Sequence, residues 1–288
     1  MLANLIGGIA IGSVYALIAI GAVLVYRTTG VVNFAQGELV TIGAYAYVFA
    51  STISTSAAVT MGFAVLCGVV SGAVFFFVVH YLLRGRQELS LVVGTLALLT
   101  LVQATARLYA TDRPYRAATW LFADRSVKLG SASLPVNSLV IIGVTALAAV
   151  GLLIWFTRTI IGKAMAAVAE DPLRSAMAGI PVRAILLLSW TGAGALAAIA
   201  GVLISPVTGV YPTMGGSLIL AAVVGAVVGG FDSILGALIG GLLIGLLQTF
   251  AVVLVGGSYR DIVVFGLLML VLMVRPSGLF GSPELRRV

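Results

Sequence analysis

The sequence predicts an all-α integral membrane protein, a polytopic bundle of about 8–10 transmembrane helices. The first observation is composition, because 61% of the 288 residues are hydrophobic and only 9% are charged. Soluble domains carry about 25% charged residues, so these few charged side chains cannot cover a water-facing surface. The second observation is that the apolar runs are long and continuous, whereas membrane barrel strands alternate. Soluble enzymes, secreted disulfide scaffolds and disordered chains are therefore excluded.

Nine apolar segments account for the predicted bundle, since crossing the hydrocarbon core takes roughly 20 helical residues. The predicted spans are 2–26, 33–52, 57–83, 89–110, 135–157, 184–205, 217–230, 233–256 and 260–274. The seventh span is short and is separated from the eighth only by residues 229–233. Residues 1–288 are predicted to form one transmembrane domain.

The basic residues predict the orientation. The first charge, Arg27, follows the first span, and no Ala-x-Ala cleavage site precedes it, so this span is interpreted as a signal anchor. With nine spans, ten basic residues lie on one side of the membrane and six on the other. The positive-inside rule then predicts an N-terminus outside and a C-terminus inside.

Two loops are long enough to carry a role. Residues 111–134 fall on the outer side and residues 158–183 on the inner side. The inner loop is interrupted at Asp171-Pro172 and at Gly179-Ile180-Pro181, and the residue before a proline disfavours helix. We therefore predict two short helices with a bend. Such a segment suits docking to another protein, and a solvated connector fits the spacing equally well.

Polar residues cluster at the start of the second span, where Asn33, Gln36, Glu38 and Thr41 follow one another at helical spacing. A carboxylate in hydrocarbon is costly unless it is paired or hydrated. One interpretation is that these residues line a path or cap a broken helix. The alternative is an interfacial helix start, in which Glu38 reaches water and stabilises the helix N-terminus.

A second irregular region, 205–216, contains two prolines and three glycines. Five positions in it and just after it match earlier positions at a constant offset of 179, namely Thr208-Gly209-Val210, Gly216 and Leu218 against Thr29-Gly30-Val31, Gly37 and Leu39. On the predicted topology the two regions enter the membrane from opposite sides. This pattern is typical of an inverted repeat with substrate handled between the halves.

The sequence lacks the motifs that are typical of nucleotide binding, serine hydrolases and zinc proteases. The sequence has no GxxxxGK[ST] loop, no GxSxG and no HExxH. One Cys and one His cannot supply the three or four ligands of a zinc site. No catalytic residue, metal ligand or cofactor is therefore expected, and the passage of a solute or ion is the default function.

Motifs spread nearly end to end carry a family resemblance. They are G-x-x-x-G-S-V-Y-A-L-I-A-I-G from Gly8, V-V-N-F-A-Q-G-E at 31–38, G-A-Y at 43–45, G-K-A-M-A-A-V-A-E-D-P-L-R-S-A-M-A-G-I at 162–180, V-V-G-G-F-D-S-I-L-G-A-L-I-G-G at 227–241 and R-P-S-G-L-F-G at 275–281. In this order they resemble the permeases of branched-chain amino acid ABC importers. The N-F-A-x-G-E form looks closer to the LivH-type subunit than to the LivM-type.

The resemblance implies a permease in the bacterial cytoplasmic (inner) membrane. A second, LivM-type permease would complete the pathway, two ABC ATPase subunits would bind ATP, and an extracytoplasmic binding protein would deliver the amino acid. The loop 158–183 then becomes the ATPase-coupling segment, centred on Glu170, Asp171, Pro172 and Arg174. The candidate pathway or gate residues are Asn33, Gln36, Glu38, Thr41, Thr208 and Thr213.

Other functions stay open at this point. The same machine could carry urea, short amides or other amino acids. A passive channel or an ion-coupled secondary transporter would need no ATPase, and a membrane scaffold would transport nothing.

Overall fold

The structure, a computed structural model, describes residues 1–82, 88–110, 115, 126–129 and 132–281. The helices are α1 (Leu2–Thr29), α2 (Gln36–Ile53), α3 (Ala57–Leu82), α4 (Glu88–Tyr109), α5 (Val136–Arg158), α6 (Ile160–Glu170), α7 (Pro172–Met177), α8 (Val182–Thr208), α9 (Met214–Gly229), α10 (Ile234–Leu254) and α11 (Arg260–Val274). A hairpin of β1 (Ser126–Leu129) and β2 (Ala132–Pro135) precedes α5, and a 3-10 turn, Gly257–Tyr259, precedes α11. The predicted all-α bundle is confirmed, and each predicted span coincides with one helix.

Seven helices within the described residues are long and apolar enough to cross a bilayer: α1, α3, α4, α5, α8, α10 and α11 with its 3-10 turn. The two remaining predicted spans are α2 and α9. α9 has only 16 residues, and α2 carries Gln36 and Glu38 in its first turn. The predicted count of eight to ten is reached only when α2 and α9 are included.

The predicted loop 111–134 is described only at Tyr115 and in the hairpin; the rest of that prediction lies outside the described residues. Tyr115 forms an antiparallel bridge with Val210. Its amide donates to the Val210 carbonyl at 2.8 Å, and the Val210 amide donates back at 2.7 Å. The bridge joins the loop after α4 to the connector between α8 and α9.

The centre of the bundle is formed by α1 and α8, which run antiparallel. Leu24 of α1 lies beside Gly192 of α8, while Tyr15, earlier in α1, shares a cavity with Ile204, later in α8. The small-residue run 191–201 of α8 allows this approach, because small side chains let helix backbones pack closely inside a membrane.

The helices form two inverted repeats, as the offset of 179 predicts. Adding 179 to the bounds of α1 gives 181–208, and α8 covers Val182–Thr208. The same shift brings the start of α2 to within one residue of the start of α9, and that of α3 to within two residues of that of α10. The packing follows the same symmetry, since α1 packs on α10 as α8 packs on α3. Because α1 and α8 are antiparallel, the repeats have opposite directions.

The last turn of α8 contains a proline, Pro206. Proline has no N–H, so the carbonyl of Val202 loses its helical donor. The hydroxyl of Ser205 donates to that carbonyl at 2.9 Å and replaces the missing bond. The helix therefore continues to Thr208, where Gly209, at φ 74°, ends it.

The predicted bent helix pair in 158–183 is confirmed as α6 and α7. Thr159 caps α6 by accepting a bond from the Gly162 amide at 3.0 Å. Asp171 ends α6 and caps α7, accepting from the amides of Leu173 and Arg174 at 2.9 Å each. Pro172 occupies the first position of α7, where its missing N–H costs nothing.

The C-terminal motif packs on the glycine-rich motif where α9 ends. The amides of Leu279 and Phe280 donate to the carbonyls of Val228 and Gly229 in the last turn of α9 at 2.8 and 2.9 Å. A side chain at Gly278 would collide with the backbone of this turn, since its Cβ would lie 2.6 Å from the carbonyl oxygen of Val227. Two sequence motifs about fifty residues apart thus form one structural unit.

Candidate functional site

The N-terminal ends of α2 and α9 meet inside the bundle, and we call this contact the junction. Gly37 and Gly215 lie so close there that a side chain on either would collide with the carbonyl oxygen of the other. The side-chain amide of Gln36 donates to the Ala193 carbonyl at 3.0 Å. Ala193 belongs to the interior of α8, so α2 begins well inside the length of its neighbour.

The first turns of two helices therefore pack side by side in the core. Each carries a partial positive charge from its macrodipole, and such ends bind or stabilise anions. Glu38, in the first turn of α2, supplies a carboxylate there. Half-helices that meet with their N-termini near the middle of an inverted repeat form the substrate and ion sites of many transporters.

The four polar residues predicted around the start of α2 are all buried, and each makes a hydrogen bond at the junction. Asn33 accepts from the Ala35 amide at 3.0 Å. Thr41 accepts from the Gly215 amide at 3.0 Å, which links α2 to α9. Glu38 accepts from the side-chain amide of Gln103 in α4 at 2.8 Å.

Glu38 is fully buried, with 0% of its surface exposed. The alternative in which it lies at an interface and reaches water is therefore wrong for this structure. Its second oxygen has no hydrogen-bond partner among the described residues, and neither does Gln36 Oε1 or Asn33 Nδ2. Three buried polar atoms are thus left with unused capacity, which is typical of a site that holds water or a polar group.

The six predicted pathway residues do not form one cluster. Thr213 immediately precedes α9 and makes no capping bond with its side chain. Thr208, at the end of α8, lies in a different place, where its hydroxyl contacts the carbonyls of Ile204 and Gly209. It lines a cavity of about 460 Å³ between α1, α8, α9, α10 and α11.

A chain of three polar side chains borders this cavity, which we call the Arg260 cavity. Arg260 Nη2 donates to the hydroxyl of Tyr15 at 3.0 Å. That hydroxyl donates to Gln248 Oε1 at 2.7 Å. Tyr15 and Gln248 are buried, so they hold the guanidinium in place from beneath. The next residue, Asp261, also lines the cavity.

A second cavity, of about 740 Å³, lies between α2, α3 and α4. Its walls are mainly apolar, with Phe49, Phe63 and Val102 among them, and Thr41 reaches its inner edge. The described residues that line it include no charged side chain. Both cavities are large enough for a small molecule, and the Arg260 cavity differs from this one in having charged side chains on its wall.

The four predicted coupling residues lie together at the bend between α6 and α7. Arg174 Nε lies 3.0 Å from Asp171 Oδ2, and Glu170 and Arg174 are exposed. Glu170, Asp171 and Arg174 border a shallow cleft of about 380 Å³. Four residues, 178–181, separate α7 from α8, which is about 40 Å long at 1.5 Å per residue. The bend and the Arg260 cavity are thus at opposite ends of α8.

A family model described as "branched-chain amino acid transport system / permease component" matches residues 4–272. The chain belongs to this permease family. It is 33% identical to the high-affinity branched-chain amino acid transport system permease protein BraD of Pseudomonas aeruginosa, over 100% of this chain and 98% of that protein. It is 32% identical to the corresponding protein LivH of Escherichia coli K12, over 100% of this chain and 97% of that one.

Among solved structures, the permease is similar to the complex titled "PsaBC from Streptococcus pneumoniae in complex with Fab", with a TM-score of 0.48 and 16% identity. That likeness covers 96% of this chain and 92% of that one. The resemblance to LivH-type permeases inferred from the motifs is confirmed by the full-length relatives. The permease is a multi-pass membrane protein.

Sequence reasoning missed four polar residues of the permease that the structure places at these sites: Tyr15, Gln103, Gln248 and Arg260. The signal that could have found the first three is their isolation, since each is a large polar side chain inside an apolar span. Arg260 was the first residue of the predicted span 260–274 and was counted only for orientation. Its proximity to Tyr15, 245 positions away, is a property of the fold alone.

Proposed function

We propose that this permease is a transmembrane subunit of an ATP-driven importer of branched-chain amino acids. The observation that carries the proposal is full-length similarity, at about one third identity, to relatives named for that transport. The inverted repeat around the junction supports it, since alternating access works by movement of one half against the other. ATP is bound by partner subunits, and this chain contributes neither a cofactor nor catalysis.

The proposed assembly contains a second permease of LivM-type, two ABC ATPases and an extracytoplasmic binding protein. The N-terminus and the hairpin loop face outward, while α6, α7 and the C-terminus face the cytoplasm. In this orientation the Arg260 cavity opens toward the binding protein, because it lies at the end of α8 away from α7. The ten-to-six distribution of basic residues supports the same orientation.

The bend between α6 and α7 is the proposed ATPase contact. Leu173 and Met177 are one helical turn apart and are 72% and 74% exposed. Large exposed apolar side chains beside charged ones are typical of a protein interface. Met165 and Val168 of α6 are buried against the bundle, so a force on α7 is passed to the membrane helices.

The link from α7 to α8 is short enough to transmit motion. Only residues 178–181 separate them, and the Ile180 amide donates back to the Ser175 carbonyl at 3.0 Å. A displacement of α7 on ATP binding therefore moves the start of α8. Because α8 passes the junction, the proposed gate consists of Asn33, Gln36, Glu38 and Thr41. Thr213 adds to it at the start of α9, and Thr208 lies at the far end of α8.

The test is uptake of radiolabelled leucine into proteoliposomes that hold this chain, the second permease, the ATPases and the binding protein. We expect ATP-dependent uptake. The double variant Glu170→Gln with Asp171→Asn should abolish at least about nine tenths of it, because both carboxylates are lost while Asn still caps α7. The matched control is Thr105→Ala, an exposed residue of α4, which should transport normally.

Other outcomes would reject parts of the proposal. Uptake of urea or another amino acid but not leucine would reject the proposed substrate and leave the ATP-driven importer standing. Current or flux through this chain without ATP would make it a channel. Normal uptake by the double variant would remove the coupling role of the bend.

A further inference from the structure

Arg260 occupies a position that helix stability does not explain. It is the first residue of α11, where the macrodipole disfavours a cation. The adjacent Asp261 offsets this effect only weakly, since its carboxylate lies 3.9 Å from Arg260 Nε and is 79% exposed. The guanidinium instead lies over the cavity, tied to the buried Tyr15 by its Nη2.

The guanidinium keeps hydrogen-bonding capacity for a ligand. It has five N–H donors, and Tyr15 uses one. Its Nε is buried and has no hydrogen-bond partner among the described residues, whereas the side chain as a whole is 42% exposed. A planar guanidinium that is held from one side and open on the other suits a carboxylate.

The remaining walls of the cavity suit an aliphatic group. They include Ile11, Ile204, Leu218, Val252, Val264 and Phe265. At about 460 Å³ the cavity has the size of a small-molecule site. Among the described residues that line the cavity, the one cation and the one anion are Arg260 and Asp261. Their charges cancel, so the pair matches a zwitterion better than an anion.

We propose that the Arg260 cavity binds the amino acid substrate. Arg260 receives the α-carboxylate, Asp261 lies on the side of the α-ammonium group, and the branched side chain enters the apolar part of the cavity. This inference rests on the proposed function for the identity of the ligand. Since the cavity lies at the end of α8 away from α7, it is the first site on this chain that the delivered amino acid meets.

The weak binding expected of a transport site can be measured by ligand protection. The chain has one cysteine, Cys67, so Cys67→Ala gives a cysteine-free background. Ser217→Cys then places a thiol on the wall of the Arg260 cavity, at an exposed position. Thr105→Cys places the control thiol in the apolar cavity between α2, α3 and α4. Both are alkylated in nanodiscs in the full importer complex, without the binding protein.

We expect millimolar leucine to slow alkylation of the Ser217→Cys variant and to leave the Thr105→Cys variant unchanged. Leucinamide, which lacks the carboxylate, should protect poorly. Adding Arg260→Gln should raise the leucine concentration for half-protection at least about tenfold. Arg260→Lys should raise it less, because an ammonium keeps the charge and loses the planar fork. Folding is reported by the Thr105→Cys thiol, whose alkylation rate should be the same with Arg260→Gln as with Arg260 intact.

Three results would overturn the site. The first is no protection of the Ser217→Cys variant by leucine, and the second is equal protection with and without Arg260→Gln. The third is protection of both thiols, which would mean a conformational change instead of occupancy. The uptake assay decides the proposed function separately. Leucine uptake without protection keeps the importer and rejects the site, whereas protection without uptake keeps the site and rejects the importer.

Discussion

The two repeats have similar backbones and place their polar side chains in different parts of the molecule. At the junction the first repeat supplies Gln36 and Glu38, and the positions 179 residues later in α9 are Gly215 and Ser217. At the Arg260 cavity the second repeat supplies Gln248 and Arg260, and the positions 179 residues earlier are Val69 and Tyr81.

This difference shows how a symmetric fold acquires one direction. The shared backbone provides two helix ends that meet and two faces that can move against each other. The side chains place a buried carboxylate at the centre and an arginine–aspartate pair at one end, so the two places differ in chemistry.

The contact between Gly37 and Gly215 is expected to be the most sensitive point. Gly37→Ala or Gly215→Ala should lower the free energy of unfolding by about 3 kcal/mol, because the new methyl group collides with a carbonyl oxygen. The matched control is Gly143→Ala in α5, where a Cβ meets nothing within 4 Å. This control should be neutral or stabilising. Thermal unfolding of the purified chain measures both, and equal stability would mean that the helices do not meet.

The buried carboxylate of Glu38 should contribute more to stability than the hydroxyl of Ser217, which occupies the equivalent position in the second repeat. Glu38→Ala leaves the Gln103 amide without its acceptor and should cost about 2 kcal/mol. Glu38→Gln keeps an acceptor and should cost less, while still reducing leucine uptake. Ser217→Ala, at the equivalent position of α9, is the control for stability. Equal thermal shifts for Glu38→Ala and Ser217→Ala would contradict the asymmetry.

Tyr15→Phe removes the hydroxyl that joins Gln248 to Arg260 and should cost about 1 kcal/mol. The combination with Gln248→Leu should cost less than the sum of the single variants, because both act on one hydrogen-bonded chain. Tyr259→Phe, at a half-exposed tyrosine next to Arg260, serves as the control. Additive shifts in melting temperature would show that the chain of bonds does not act as a unit.

Arg174→Gln should have the smallest effect on stability, below about 0.5 kcal/mol, since its ion pair with Asp171 is exposed. Leucine uptake should nevertheless fall if the bend contacts the ATPase. A large loss of stability would instead show that the ion pair holds α7 in place. Thermal unfolding and uptake measured on the same preparation separate the two effects.

Much of the fold could be predicted because membrane spans are encoded locally. A continuous apolar run fixes a helix in hydrocarbon, and the proline after Asp171 predicted the bend between α6 and α7. The inverted repeat was visible in five matching positions around Gly30 and Gly209. These patterns can be identified within the sequence without information about which helices are in contact.

The site was only partly predictable, because it depends on contacts between distant segments. The cluster around Glu38 was visible as polar residues in an apolar span, and its burial against Gln103 was not. Thr208 was grouped with that cluster through the repeat, yet it lies in the Arg260 cavity. No local pattern places Arg260 next to Tyr15, so the cavity became visible only in three dimensions.

The proline in the last turn of α8 makes that turn a point where the helix can bend, beside the Arg260 cavity. Elsewhere in a helix, bending breaks a backbone hydrogen bond, but here the bond is already absent and the Ser205 hydroxyl fills its place. Val207 and Thr208, on the far side of this point, form part of the cavity wall. Under the proposed coupling, a displacement transmitted along α8 would move this wall without unwinding the helix. One helix would then serve both as the transmitting element and, through its last turn, as the movable wall of the cavity.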